Sequence, residues 1–245
     1  LERVGQHLPH APDLPRECFW RIRAKAAVLA AGALERPIAF PMNDRPGIML
    51  AGAVRTYLNR YGVAPGRNLT LFATNDDAHR TAVEMQAAGL RVAAVIDSRT
   101  GVEKRGDYRL IEGGQVIGSK GRLGLREITV SHGGKTEDII TDCLAMSGGW
   151  NPSVHLTCHL GARPVWDADA KAFLPPPGAV PGMIPAGACN GAMSTAECLS
   201  AGKEAAKDAL KALGLSAKRS SLPKASDDAG SGDVLWFVEG KGRAW

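Results

Sequence analysis

Between Asn68 and Asp97 the sequence reads as strand, helix, strand. Asn68-Leu-Thr-Leu-Phe-Ala is followed by a polar stretch, an amphipathic run from about Ala78 to Ala88, Gly89, and a second apolar run from Leu90 to Ile96. Such a βαβ unit has parallel strands and a right-handed crossover. Asp76 or Asp77 is expected to cap the helix and Gly89 to end it. A parallel pair has both faces covered, so this unit commits the chain to an α/β architecture.

The flanking segments extend that reading. Arg21 to Lys25 alternates charged and apolar residues like a half-exposed strand, and Ala26-Ala-Val-Leu-Ala-Ala-Gly-Ala suits a buried parallel strand meeting a loop. Residues 35–47 hold three prolines and one glycine and are read as loop. Ile48 to Tyr61 has helical spacing at Met49, Ala53, Tyr57 and Leu58, with Gly62 as the stop. From Asp107 to Asp142 the texture changes to alternation, with hairpin turns expected at Gly113-Gly114 and Gly133-Gly134. Val165-Trp166 and Phe173-Leu174 flank a further turn, and Ala192 to Leu213 forms a long amphipathic helix closed by Gly214.

Composition narrows the partners. The net charge of +5 comes from 30 Lys and Arg scattered against 25 Asp and Glu, and aromatics make up 5%, so no platform for nucleic acid stands out. The longest apolar run, Ala26 to Leu34, is far short of the roughly 20 residues that cross a bilayer, and Leu1 to His10 lacks signal-peptide character. The five cysteines are odd in number and form no CxxC pair, the usage of reduced thiols rather than a disulfide framework or a zinc site. A soluble cytoplasmic protein without membrane or nucleic-acid partners is expected. Leu1 in place of Met, and a polar loop from Ser216 to Asp233 leading into a new strand before Trp245, suggest a piece of a longer chain.

The first βαβ unit lacks the chemistry its position suggests. After the strand stands Ala73-Thr-Asn-Asp-Asp-Ala-His instead of GxGxxG, and the two aspartates would repel a pyrophosphate. Asp97 remains a candidate acceptor for a ribose hydroxyl. Two other stretches suit a dinucleotide better: Ala30-Ala31-Gly32 at a strand end, and Gly182-Met-Ile-Pro-Ala-Gly-Ala-Cys-Asn-Gly before the long helix. Small residues there let backbone approach a ligand, and Ser194 and Thr195 offer hydroxyls and free N–H groups in the first helical turn. Arg36 follows the Gly32 loop and is the charged residue most readily read as functional. His155 and His159 read as structural or solvated, and Trp150 as a core or interface anchor. No spacing argues for a catalytic nucleophile or a metal site.

Ala27-Val-Leu-Ala-Ala-Gly-Ala-Leu-Glu-Arg-Pro resembles the "ATGA.ERP" stretch of two-dinucleotide flavoprotein oxidoreductases, and Ala186-Gly-Ala-Cys-Asn-Gly resembles their closing "GD" motif. Glu35-Arg-Pro, Asn43-Asp-Arg-Pro-Gly-Ile-Met-Leu-Ala, Arg55-Thr-Tyr-Leu-Asn-Arg-Tyr-Gly-Val, Thr74-Asn-Asp-Asp-Ala and Ile96-Asp-Ser-Arg are together similar to the alpha-subunit family of heterotetrameric sarcosine oxidases. The resemblance implies an interrupted two-domain nucleotide-binding (FAD/NAD(P)-type, Rossmann-like) α/β fold with a small antiparallel β component. Residues 1–62 and 147–215 would be the C-terminal half of the first nucleotide domain, 63–146 an inserted second one, and 216–245 a linker and the start of a following region. It further implies NAD on this subunit, FAD and FMN mainly on the beta subunit, folate in a downstream region, and beta, gamma and delta subunits as partners in oxidising sarcosine to glycine. A related amine, opine or proline dehydrogenase complex, or a cofactor-free docking module, are the alternatives. The cofactor residues carried over are Ala30, Ala31, Gly32, Arg36, Gly187, Ala188, Asn190 and Thr195, with no catalytic residue. Ala31 replaces the pattern's Thr, and Ala188 its acidic residue. Both changes remove polar groups that would meet a flavin, leaving a neutral site tolerant of the NAD pyrophosphate. Without the upstream GxGxxG half, this segment alone is not expected to hold a cofactor tightly.

Overall fold

A computed structural model describes residues 2–3, 17–217, 220–226 and 230–240. Leu1, most of the Pro- and His-rich start, parts of the 216–233 loop and Trp245 lie outside the described residues. In chain order the strands are β1 (Glu2–Arg3), β2 (Glu17–Cys18), β3 (Ala27–Leu29), β4 (Ala33–Glu35) and β5 (Ile48–Leu50), followed by helix α1 (Ala51–Tyr61). Then come β6 (Asn68–Ala73), helix α2 (Asp76–Ala87), β7 (Arg91–Asp97), β8 (Arg109–Glu112), β9 (Gln115–Lys120), β10 (Glu127–His132), β11 (Lys135–Ile140) and β12 (Cys143–Ser147). The remainder is β13 (Trp150–Pro152), β14 (Val165–Asp167), β15 (Ala172–Leu174), β16 (Met183–Pro185) and helix α3 (Thr195–Ala212).

The centre is a five-stranded, wholly parallel sheet in the order β5-β12-β6-β7-β8. Its middle strands are apolar almost throughout because both faces are covered. Alternation divides their side chains between two cores. Leu69, Leu71, Cys143 and Ala145 pack with Val54, Ala82 and Met85 of α1 and α2. Phe72, Leu144 and Met146 face the other way, onto Ile128 and Val130 of the antiparallel meander β9-β10-β11 and onto Ile38, Phe40 and Val238. A register shift between Leu69 and Thr70 against β7 lets Val92 and Val95 share one face while Ala94 and Ile96 take the other.

Several elements differ from the sequence reading, each for a local reason. Ile48–Leu50 is strand rather than the first helical turn, because it pairs with Leu144–Met146. That pairing places β5 in the same sheet as β6, β7, β8 and β12. Helix α2 is capped by Asn75, whose Oδ1 accepts from the backbone N of Asp77 and Ala78, so the helix starts at Asp76. Gly113-Gly114 does not turn a hairpin: β8 stays in the parallel sheet, and the chain crosses to the meander. Gly133-Gly134, with φ of 54° and 75°, does join β10 to β11 as a two-residue hairpin. Helix α3 begins later than Ala192, at a capping box in which Ser194 Oγ accepts from Glu197 N and Glu197 Oε2 accepts from Ser194 N. Residues 21–25 form no strand. Ala27–Leu29 is a parallel strand but not a buried one: among the described residues it pairs only with β16, and Val28 is 43% exposed.

Candidate functional site

In a parallel sheet, ligands bind in the crevice beyond the carboxyl ends of the strands. At the ends of β6 and β7 that place is filled by the chain's own polar groups. Asp97 and His79 are both fully buried. His79 Nε2 donates to Asp97 Oδ2 at 2.8 Å; its Nδ1 is then the acceptor for the Tyr108 hydroxyl, also at 2.8 Å. The Tyr108 oxygen in turn accepts from Arg105 N. Arg99 closes the other side, donating to Asp97 from its backbone N (2.9 Å), Nε (3.0 Å) and Nη2 (2.8 Å), and from Nη2 to Asp76 Oδ1 at 2.8 Å. Burial pushes the Asp97 carboxyl up, but the bonds from His79 and Arg99 outweigh it and hold it below the usual carboxylate range. For Asp76 burial is likewise outweighed, here by the bonds from Ser231 and Arg99. Asp97 has no lone pair left over for a ribose hydroxyl of the kind the sequence offered it.

A late segment seals the same crevice. Asp76 N donates to Ser231 O (3.0 Å), Ser231 N returns a bond to Asp76 Oδ2 (2.8 Å), and Arg99 Nη1 donates to both Ser231 O and Oγ (2.9 Å each). Gly232 forms an antiparallel bridge with Asn75, and Asp233 N donates to Thr74 O at 2.7 Å. A Cβ on Gly230 would lie 3.0 Å from Asp76 Cβ, so the strap lies hard against the start of α2. Beyond it, Val238 bonds to Ala39 and buries its side chain in the core.

The residues carried over from the resemblance fall into two groups. Strands β3 and β16 run parallel with Leu29 opposite Pro185, so Ala30, Ala31 and Gly32 leave the pair at the same end as Ala186, Gly187 and Ala188. Ala186 N donates to Leu29 O at 2.9 Å, and the buried Cys189 thiol donates to the same carbonyl. Gly32 (φ 69°) and Gly187 (φ 73°) need left-handed backbone, and a Cβ at Gly32 would meet nothing within 4 Å. At Gly187 it would meet only Cys198 Sγ at 3.7 Å. Thr195 opens α3, which packs on both strands, and is exposed. Little packs where a Cβ would stand at either glycine, which fits the close approach a dinucleotide makes.

Arg36 and Asn190 belong to a second place, a cleft of about 410 Å³ that also meets Asn75, Trp150, Lys171 and Ser231. Arg36 is a strut: Nε donates to Asn151 Oδ1 (2.9 Å) and Nη2 to the carbonyls of Trp150 (3.0 Å) and Lys171 (3.1 Å), while its guanidinium lies 5.7 Å from the Trp236 ring centre. Burial lowers its pKa. Trp150 borders this cleft, and His155 and His159 are exposed. Among the described residues no three His, Cys, Asp or Glu side chains converge as a metal set, and no helix is long and apolar enough to cross a membrane. The sequence reading missed His79, Arg99, Tyr108 and Ser231. An Asn before two aspartates was a signal for the cap, but nothing local announced partners up to 155 positions away.

No family model matches the chain. Its fold is that of FAD/NAD(P)-binding oxidoreductases. L-proline dehydrogenase from P. horikoshii superposes with a TM-score of 0.62 at 20% identity, over 80% of this chain and 36% of that one. Thioredoxin reductase from Lactococcus lactis gives 0.58 at 14% identity, over 77% and 66%. In sequence the chain is homologous to sarcosine oxidase alpha subunits: 46% identical to that of Rhizobium meliloti over 98% of its length, and 38% identical to that of Corynebacterium sp. strain P-1 over 97%. It spans about a quarter of the length of these relatives, at 25% and 26%. One of the opine oxidase subunits of Rhizobium meliloti is 33% identical over 78 residues, 32% of this chain and 17% of that one.

Proposed function

We propose that the chain is the dinucleotide-holding part of a sarcosine-oxidising enzyme, and that the ligand seats at the β3–β16 edge, not in the five-stranded sheet. The observation that carries this is the contrast between the two crevices. One is filled by Ser231, Arg99 and Asp76; the other presents Gly32 with open space before it and Gly187 with only Cys198 Sγ at 3.7 Å from where a Cβ would stand. Ala30, Ala31 and Gly32 would flank one side of the pyrophosphate, with Gly187, Ala188 and the first turn of α3 at Thr195 on the other. Asn190 would border the outer end of the ligand, while Arg36, which the resemblance also carried over, ties Asn151, Trp150 and Lys171 together instead. A nicotinamide dinucleotide supplies hydride exchange when bound; this chain's residues bind and orient it and lend no acid or base. NAD is favoured over a flavin because Ala31 and Ala188 offer no polar side chain. Residues 1–62 and 147–215 would complete the first nucleotide domain with chain upstream. Flavin on a beta subunit, gamma and delta subunits, a folate region downstream and a cytoplasmic setting complete the reading, in keeping with five unpaired cysteines. The opine oxidase match supports a second reading, in which the same architecture serves an opine- or proline-oxidising complex.

The test is mass spectrometry of nucleotides released by denaturing the purified full-length complex that contains this chain, wild type against Gly32→Val and Gly187→Val. Valine at a φ near +70° is strained by about 1–3 kcal/mol and projects methyl groups into the open space. Nucleotide content should fall in both variants. Unchanged content in both refutes the site.

A further inference from the structure

Among the arginines drawn toward the interior, two are neutralised by carboxylates and two, Arg45 and Arg36, bond only to neutral oxygens. Arg55 pairs with Asp77 and Glu84, and Arg99 with Asp76 and Asp97. Arg36 has only 6% of its surface exposed, yet no carboxylate lies against it among the described residues; its three bonds go to neutral oxygens. Its Nη1 makes no bond to the described protein. A cation held out of water by neutral acceptors alone is costly, and an anion on its free donor face offsets that cost.

The surroundings say what kind of anion. Arg36 lines a hollow of about 510 Å³ walled by Pro37, Pro152, Val154, Pro164, Phe173 and Trp236, in which it is the one charged residue. Phe173 and Trp236 each meet Trp166 edge to face, with ring centres 5.2 and 6.0 Å apart, which fixes their planes. Asn151 is the remaining polar member. Arg36 Nε can only donate, so the Asn151 amide oxygen must face it, and the Nδ2 hydrogens are left as donors unbonded to the described protein. Arg36 and Asn151 are thus the two polar members of an otherwise apolar hollow, each with a donor left over. The 410 Å³ cleft that Arg36 also borders is different: Asp77, Asp167, Asp169, Glu197 and Asp233 outnumber its two cations and repel an anion there.

We propose that the Arg36–Asn151 hollow is a binding site for a monoanion on a planar apolar body, an aryl carboxylate in chemical class. The carboxylate lies on Arg36 Nη1 and Asn151 Nδ2, and the ring lies against Phe173 and Trp236. One cation matches one negative charge, and the proline and aromatic walls match a ring. The same walls suit a dinucleotide poorly, since its ribose hydroxyls and two phosphates would find few partners. The site is therefore separate from the Gly32–Gly187 edge.

The probe is 1-naphthoate, titrated calorimetrically into the purified protein with 1-naphthalenemethanol as the uncharged control, with and without saturating NAD. Naphthoate should bind roughly tenfold or more tighter than the alcohol, the size of one hydrogen bond to a charged group. Arg36→Gln should abolish that preference, and NAD should leave it intact. Arg36 also ties three chain segments together. Asn151→Leu, at an exposed position, therefore carries the test if the Arg36 variant does not fold, and it should weaken naphthoate more than the alcohol. Equal affinity for acid and alcohol, no binding, a preference unchanged in the variant that folds, or displacement of naphthoate by NAD would each overturn the proposal. Displacement alone would assign the hollow to the dinucleotide; a failed nucleotide assay with intact naphthoate binding would leave this site standing alone.

Discussion

Replacing Asp97 by Ala separates two roles that its position at the end of β7 allows. As a ribose acceptor, Asp97 would matter to ligand content and little to stability. As the centre of the internal network it matters to stability alone. The substitution removes the acceptor for His79 Nε2 and for three donors of Arg99, all in a fully buried site. Arg99 keeps Asp76 as a partner, and Tyr108 keeps His79. Breaking one member out of a buried ion pair costs about 3–5 kcal/mol. For a chain of this size each kcal/mol moves the unfolding midpoint by about 2–4 °C, so the variant should melt roughly 6–20 °C lower.

The pH dependence follows from the sign of the shifts. Asp97 and Asp76 have folded pKa values held below those of the unfolded chain. Their stabilisation is therefore complete above the unfolded carboxylate value of about 4 and is lost as pH falls through the lower folded value. The gap between wild type and variant should be flat at neutral pH and narrow on acidification below about 4. Thermal melts followed by circular dichroism, with nucleotide content measured on the same samples, decide it. A loss under about 1 kcal/mol, ordinary for surface substitutions, would refute the network argument. Loss of nucleotide at unchanged stability would restore Asp97 as a ligand group.

Two further outcomes are expected. Ser194→Ala removes one half of the capping box of α3 and should cost about 1 kcal/mol in denaturant unfolding; a change within error would mean that Glu197 alone caps the helix. Cys143 lies buried between β6 and β5, and desolvation, helped by Asp142, pushes its thiol up to about 12. In the folded protein at pH 8 it should resist iodoacetamide, by peptide mapping, while the half-buried Cys18, Cys158 and Cys198 are modified; early labelling at Cys143 would refute its burial.

What was legible in the sequence was what neighbours decide. The β6–α2–β7 unit and the Gly133-Gly134 turn follow from period and turn chemistry within a few residues. Ile48–Leu50 was not legible, because three apolar residues before a helix extend its pattern, and only the distant Leu144–Met146 makes them a strand. The apolar run at Ala26 suggested a buried strand for the same reason: composition records a preference for burial, and a single partner strand does not satisfy it. At the site, the missing glycines after β6 argued against a pyrophosphate, and the crevice there is occupied by Ser231, Arg99 and Asp76. The sequence held no sign of the replacement, because Arg99, Ser231 and Gly232 reach Asp76 and Asn75 only through the fold.

The filled crevice also explains why two aspartates can stand at the start of α2. A helix N-terminus leaves N–H groups that a phosphate commonly takes up. Here Asn75 Oδ1 accepts from two of them, and the Asp76 N–H goes to Ser231 O. The charges balance as well: Asp76 and Asp97 face Arg99 and Arg105, two against two. A pyrophosphate entering this crevice would find its donors spent, its cations paired and Ser231 in its path, so binding would require breaking bonds equivalent to those gained. The β3–β16 edge is the reverse case. Its strands lack further neighbours among the described residues, and a Cβ would meet nothing within 4 Å at Gly32 and only Cys198 Sγ, at 3.7 Å, at Gly187. Glycines with little before them, rather than resemblance to a nucleotide fold, are what the proposed β3–β16 site rests on, outside the sheet that looks most like a nucleotide domain.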